Sequence, residues 1–353
     1  MKSLKFLSII AISCCFSLSH GYAKETIYLI SSSSAYDESY IPMIVKSFNN
    51  KGFNVSTQYL DQRLSDFGYV NTDRERAKNL VNALSNPQVK YLWFVRGGSG
   101  ALNLLPILES KKEVIKKTSP KVLIGFSDVT VIHYFINNYI GWKSIHGTTA
   151  ASGRVINASS NSDLSNQAIS SRSANNALVQ SKQSDESSLQ TDAIEQIFSS
   201  INNGIKYQGL LPLNQSAHVS QLNGRLTGGN LTLVQTLFST TYEKNWNNKV
   251  LLLEDVNVTY KQLDRLLHQL LFKKDFHPKA IVFGQFYPNK TNDGERLIYK
   301  QVIQSYADQT NIPVYYYPYF GHGKVNQPFI LGENAKISCN KDSDYCSIVQ
   351  NKM

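Results

Sequence analysis

Apolar positions in the first part of this chain fall into short strand-like runs that alternate with segments of helical spacing. Residues 27–30 read as a strand, 41–48 as a helix, 53–59 as a second strand and 74–84 as a helix. Residues 89–95 form a third apolar run, which stops at Arg96-Gly97-Gly98-Ser99-Gly100 and leads into a helix from Ala101. A fourth run, 122–125, leads into Gly125-Phe126-Ser127-Asp128, after which Val129, Ile132, Ile136 and Tyr139 recur at helical spacing. This alternation predicts an open, mostly parallel α/β sheet. In such sheets ligand sites gather at the carboxyl ends of strands, where both Gly97-Gly98 and Ser127 fall.

The pattern breaks at about Ala151. Ser, Asn, Gln and Ala dominate to about Ser200, the composition of a low-complexity linker poor in core contacts. Order returns near Leu222-Asn223-Gly224-Arg225-Leu226-Thr227-Gly228-Gly229-Asn230. A second set of elements follows: a buried strand at 250–253 ending in Glu254-Asp255, a helix burying Leu263, Leu266, Leu267, Leu270 and Leu271, and strands at 280–284 and 314–317. The turn Phe320-Gly321-His322-Gly323 comes next. The expected division is 24–150 as an N-terminal α/β domain, 151–215 as linker and 216–353 as a C-terminal domain.

The first 23 residues have a basic start, an apolar core at 6–16 and small residues before Lys24, the pattern of a secretory signal peptide. Cleavage is expected after Ala23; a lipoprotein cut at Cys14 is the alternative. Export to an oxidising periplasm would make Cys339 and Cys346 a disulfide. Two cysteines without a nearby His do not make a zinc site. The net charge of +10 is scattered, with no arginine-rich stripe or recognition helix, so it argues for work beside an anionic envelope rather than on nucleic acid.

Ser127 sits where a buried strand turns into a helix, beside free N–H groups that can stabilise an oxyanion. Only half of a G-x-S-x-G elbow is present, and Ser before Asp at a helix start is also an ordinary N-cap. A serine nucleophile needs a base, and the base needs an orienting carboxylate. His322, between glycines, is the candidate base, with His146 in Ser144-Ile145-His146-Gly147, read as a turn, as its rival. Glu254 is the candidate carboxylate, and Asp255 competes for that place. His133 and His268, inside predicted helices, and His277, before a proline, read as packing or surface residues.

Taken together, Arg96-Gly97-Gly98-Ser99-Gly100-Ala101, Gly125-Phe126-Ser127-Asp128-Val129-Thr130, Ile145-His146-Gly147, Leu226-Thr227-Gly228-Gly229-Asn230-Leu231, Leu253-Glu254-Asp255-Val256 and Phe320-Gly321-His322-Gly323 resemble, in order, the motifs of the LD-carboxypeptidases. These are the murein tetrapeptide carboxypeptidases and microcin-immunity hydrolases. The resemblance implies an α/β N-terminal domain carrying the nucleophile and a swivelling, β-rich α/β C-terminal domain carrying Glu and His, usually in a homodimer. It implies Ser127, Glu254 and His322 as catalytic residues, the N–H groups of Gly98 and Asp128 as oxyanion donors, and neither metal nor organic cofactor. The implied reaction releases terminal D-alanine from peptidoglycan stem tetrapeptides, and the export signal adds crosslinked stems as a further expected target. Ser99, in place of an aromatic residue, and Leu102-Asn103, in place of a polar-basic pair, depart from the family on the substrate side. Two other readings stay open: a hydrolase of a peptide-antibiotic or other acyl-amide conjugate, and a muropeptide-binding protein in which Ser127 is only a cap.

Overall fold

The computed structural model describes residues 24–156, 192–288, 291–340 and 343–353. The expected signal peptide, Cys14 with it, and 157–191 of the expected linker lie outside the described residues. Strands β1 (Thr26–Ile30), β2 (Asn54–Tyr59), β3 (Tyr91–Phe94), β4 (Val122–Gly125) and β5 (Ser144–His146) pair in parallel, in the order β5-β4-β3-β1-β2. Helices cover both faces, which is why β3 is buried along its whole length and reads as a continuous apolar run rather than an alternating one.

The chain then builds a closed barrel from β6 (Ile205–Pro212), β7 (Leu222–Asn230), β8 (Lys249–Glu254), β9 (Ala280–Phe283) and β10 (Val314–Tyr316). It returns to the first sheet as β11 (Phe329–Leu331), an antiparallel edge on β5, before β12 (Asn334–Cys339) and β13 (Cys346–Gln350) complete the barrel. The disulfide Cys339–Cys346 joins directly opposed residues of β12 and β13. Thus the first sheet is mostly parallel as expected, and its antiparallel edge comes from the far end of the chain. Among the described residues no helix is long and apolar enough to cross a membrane.

Three apolar clusters hold this together. One lies on one face of the first sheet, where Phe48 and Trp93 meet Ile194, Ile197 and Ile201. A second runs from the opposite face, through Phe94, Leu123, Val131 and Phe135, into Leu231, Leu251, Leu253 and Phe283 on the outside of the barrel. The third fills the barrel interior with Leu226, Val250, Leu252, Val282 and Ile348. Residues of β8 therefore alternate between the shared core (Leu251, Leu253) and the barrel interior (Val250, Leu252), the period-two signature of a strand buried on both faces.

The interval expected as a linker, 151–215, is folded at both ends. Helix Ala193–Asn203 is capped by Asp192, whose side chain accepts from the N–H groups of Ile194 and Glu195, and its apolar stripe packs on the first sheet. The segment Ile205–Pro212 is a barrel strand. The Ser and Asn content masked a helix whose apolar residues recur at i, i+3 and i+7.

Candidate active site

Strand β4 ends at Gly125; Phe126 is extended, and Ser127 adopts φ 63° as the first residue of a short 3-10 turn, Ser127–Val129. A non-glycine residue in the left-handed region is costly and persists only where its surroundings hold it. Ser127 is thus lifted out of the sheet at a strand-to-helix elbow. Its hydroxyl faces His322 Nε2 across the barrel interface. The Gly97 loop lies directly against it: a Cβ at Gly97 would sit 2.9 Å from Ser127 Cβ, 3.2 Å from its Oγ and 3.4 Å from the Asp128 nitrogen. Only a glycine permits that approach.

The barrel supplies the rest. Glu254 ends β8 and is fully buried. The turn after β10 folds over it, with Gly321 at φ 93°, where a Cβ would fall 2.5 Å from Glu254 Oε2. This close packing brings His322 Nδ1 to 2.6 Å from Glu254 Oε2, while Nε2 lies 3.1 Å from Ser127 Oγ. A carboxylate only accepts, so Nδ1 carries the proton and donates to Glu254. That leaves the Nε2 lone pair of a neutral imidazole to accept from the serine hydroxyl. Burial disfavours the imidazolium, but the Glu254 carboxylate outweighs it and raises the His322 pKa above the ordinary 6.5. For Glu254, burial favours the neutral acid, yet His322 and His146 together hold the carboxyl below the usual range.

The two rivals are placed differently. His146 is not in a turn: it is the last residue of β5, fully buried, with Nε2 3.9 Å from Glu254 Oε1. That distance makes it an electrostatic neighbour rather than a hydrogen-bond partner. Asp255 points the other way, accepting from Asn230 Nδ2 at 2.8 Å and from the Thr232 backbone and hydroxyl at 2.9 and 2.7 Å. Asp255 thereby braces the start of helix Leu231–Thr236. His133 is buried and donates to the Gly125 carbonyl at 2.9 Å, fixing the strand end before the elbow. The Asp128 side chain, buried and with its pKa raised by that burial, accepts from the Ala101 N–H at 2.9 Å and ties the elbow to the Gly97–Gly100 loop.

Two residues at the site escaped sequence reasoning. Thr130, just after the elbow, accepts the Asn230 backbone N–H at 3.0 Å and joins the Ser127 elbow to the barrel. Arg154 donates from Nη2 to the Gly323 carbonyl, beside His322. It sits at the head of the interval expected as linker, where a lone arginine among Ser and Gly carries no pattern.

Residues 27–147 match the model of the LD-carboxypeptidase N-terminal domain, and residues 223–337 that of the LD-carboxypeptidase C-terminal domain. A Rickettsia conorii protein that bears a carboxypeptidase name is 31% identical over 347 residues, 97% of each chain. The murein tetrapeptide carboxypeptidase of Pseudomonas aeruginosa is 27% identical over 272 residues, covering 76% of this chain and 79% of that one. Among solved structures, the muramoyltetrapeptide carboxypeptidase of Oxalobacter formigenes superposes with a TM-score of 0.70 over 93% of this chain and 99% of that one, at 20% identity, a likeness of fold.

Proposed function

Because the chain belongs to the LD-carboxypeptidase family, we propose that it is a serine-type enzyme that removes the terminal D-alanine from peptidoglycan stem tetrapeptides, leaving tripeptides, in the periplasm. The observation that carries this reading is the unbroken chain of contacts from Glu254 through His322 to Ser127 Oγ.

In the first half-reaction Ser127 Oγ attacks the carbonyl carbon of the bond to the terminal residue, and His322 Nε2 takes the hydroxyl proton. The Gly98 and Asp128 N–H groups receive the oxyanion. Collapse of the tetrahedral intermediate breaks the C–N bond, and His322 returns its proton to the leaving amine. The amino acid departs, and the peptide stays as an ester on Ser127. Water then gives a proton to His322 and attacks the ester. The second intermediate collapses with the proton returning to Ser127 Oγ, which frees the shortened peptide. Throughout, Glu254 holds the Nδ1 proton and stabilises the imidazolium, and it remains ionised because its own pKa is depressed.

The expected signal peptide supports the periplasmic assignment, and the Cys339–Cys346 disulfide fits an oxidising compartment. The test is digestion of purified disaccharide tetrapeptides followed by mass spectrometry. The reading expects tripeptide plus free alanine from the mature protein and intact substrate from Ser127→Ala. Turnover of a peptide-antibiotic conjugate with no action on tetrapeptide would replace it.

A further inference from the structure

Arg154 lies in the short helix Gly153–Ile156, whose Val155 and Ile156 are buried in the core of the first sheet, so its backbone is held rigidly. Its guanidinium reaches across to the barrel and donates from Nη2 to the Gly323 carbonyl, next to the base. The side chain is only partly exposed, and among the described residues no carboxylate lies within ion-pair distance of it. A guanidinium carries five N–H donors in a planar fork matched to a carboxylate, and burying one without a counter-anion is unfavourable. Burial lowers the Arg154 pKa to about 10, and its positive charge is felt at the His322 imidazole.

The chemistry fixes what arrives there. His322 protonates the leaving amine, so the departing residue must lie on the His322 side of Ser127. In that residue the carboxylate carbon is two bonds from the amine nitrogen, each about 1.5 Å long. It therefore falls within a few ångströms of the imidazole, in the region that Arg154 borders. Resting on the carboxypeptidase reading above, we infer that Arg154 receives the free α-carboxylate of the substrate's terminal residue and so selects exo-cleavage over endo-cleavage. The donor stem of a crosslink carries an amide at that position and offers no anion. Arg154 thus sets the enzyme against the crosslink cleavage that its exported location would otherwise allow.

The test compares a stem tetrapeptide ending in free D-alanine with the same peptide as its C-terminal amide. The wild-type protein should prefer the acid by about 100-fold in kcat/KM, the range expected for a desolvated charge pair. In Arg154→Gln the acid should lose most of that advantage through KM, with a much smaller loss on the amide, and Arg154→Lys should recover part of the preference. Equal losses on acid and amide would overturn the inference, since that is what a residue serving only to hold the Gly323 loop would give. Binding of the two peptides to Ser127→Ala, measured by calorimetry with and without Arg154→Gln, judges Arg154 without turnover. Acid-selective binding that disappears with the arginine supports the inference, and binding that ignores the terminus refutes it. If the wild-type protein cuts neither peptide, the catalytic reading fails while the binding comparison still decides the role of Arg154.

Discussion

Replacing Glu254 by Gln isolates the contact on which the proposed mechanism depends. The two side chains are nearly isosteric, and position 254 is fully buried, so the change leaves the packing intact and removes one charge. Glu254 Oε2 lies 2.6 Å from His322 Nδ1 and can only accept. An amide there can turn its NH2 toward Nδ1, which selects the tautomer protonated on Nε2 and leaves no lone pair facing Ser127 Oγ. Losing the orienting carboxylate of such a triad lowers kcat by about 10⁴, or roughly 5.4 kcal/mol of barrier. A second effect must accompany the first. Burial disfavours the His322 cation, and the carboxylate reverses that, so the wild-type pKa lies above 6.5. Without the carboxylate, burial and the positive charge of Arg154 still oppose the cation and only the more distant charge of Asp255 favours it, so the pKa must fall. The neutral imidazole is the active form. The acid limb of kcat/KM should therefore lie above pH 6.5 in the wild type and move to lower pH in Glu254→Gln, while the plateau collapses. Rate-versus-pH profiles, with the His322 ring proton followed by NMR against a His322→Gln spectrum, measure both effects. Activity within about tenfold of wild type, or an unmoved limb, would refute the reasoning.

Further outcomes follow from the same geometry. Gly97→Ala puts a methyl 2.9 Å from Ser127 Cβ, so Ser127 must shift; a displacement approaching 1 Å should cost about 100-fold in kcat, while circular dichroism shows a folded protein. His133 is fully buried with its pKa lowered to about 3. Its folded pKa lies below the unfolded one, so the unfolded chain binds the extra proton and stability falls as pH drops from about 6.5 toward 3, by about 1.4 kcal/mol per pH unit. Urea titrations across that window should show a slope that flattens in His133→Gln. Removing the Cys339–Cys346 disulfide, which closes a loop of sequence separation 7, should lower stability by about 2–3 kcal/mol, read as a lower urea midpoint for Cys339→Ser.

Much of the architecture was legible because buried parallel strands advertise themselves as apolar runs, as β3 and β4 do. The site was legible in its parts: Ser127 at a strand end, Glu254 at another, and His322 between glycines. What linear sequence could not supply was their convergence across separations of 68 and 195 residues. The return of β11 to the first sheet was equally invisible, since three residues of strand carry no signal of their partner. His146 read as a turn residue because Gly147 follows it, although β4 and β11 flank it as a strand. Arg154 was hidden by composition: Val155 and Ile156 are too few to reveal a buried helix at the edge of a Ser-rich stretch.

Release of free D-alanine from a disaccharide tetrapeptide, followed over time for the wild type, Ser127→Ala and His322→Gln, tests the central claim most directly. The account predicts steady release by the wild type and none above background by either variant, with both variants folded. Release at the wild-type rate from folded Ser127→Ala would contradict it.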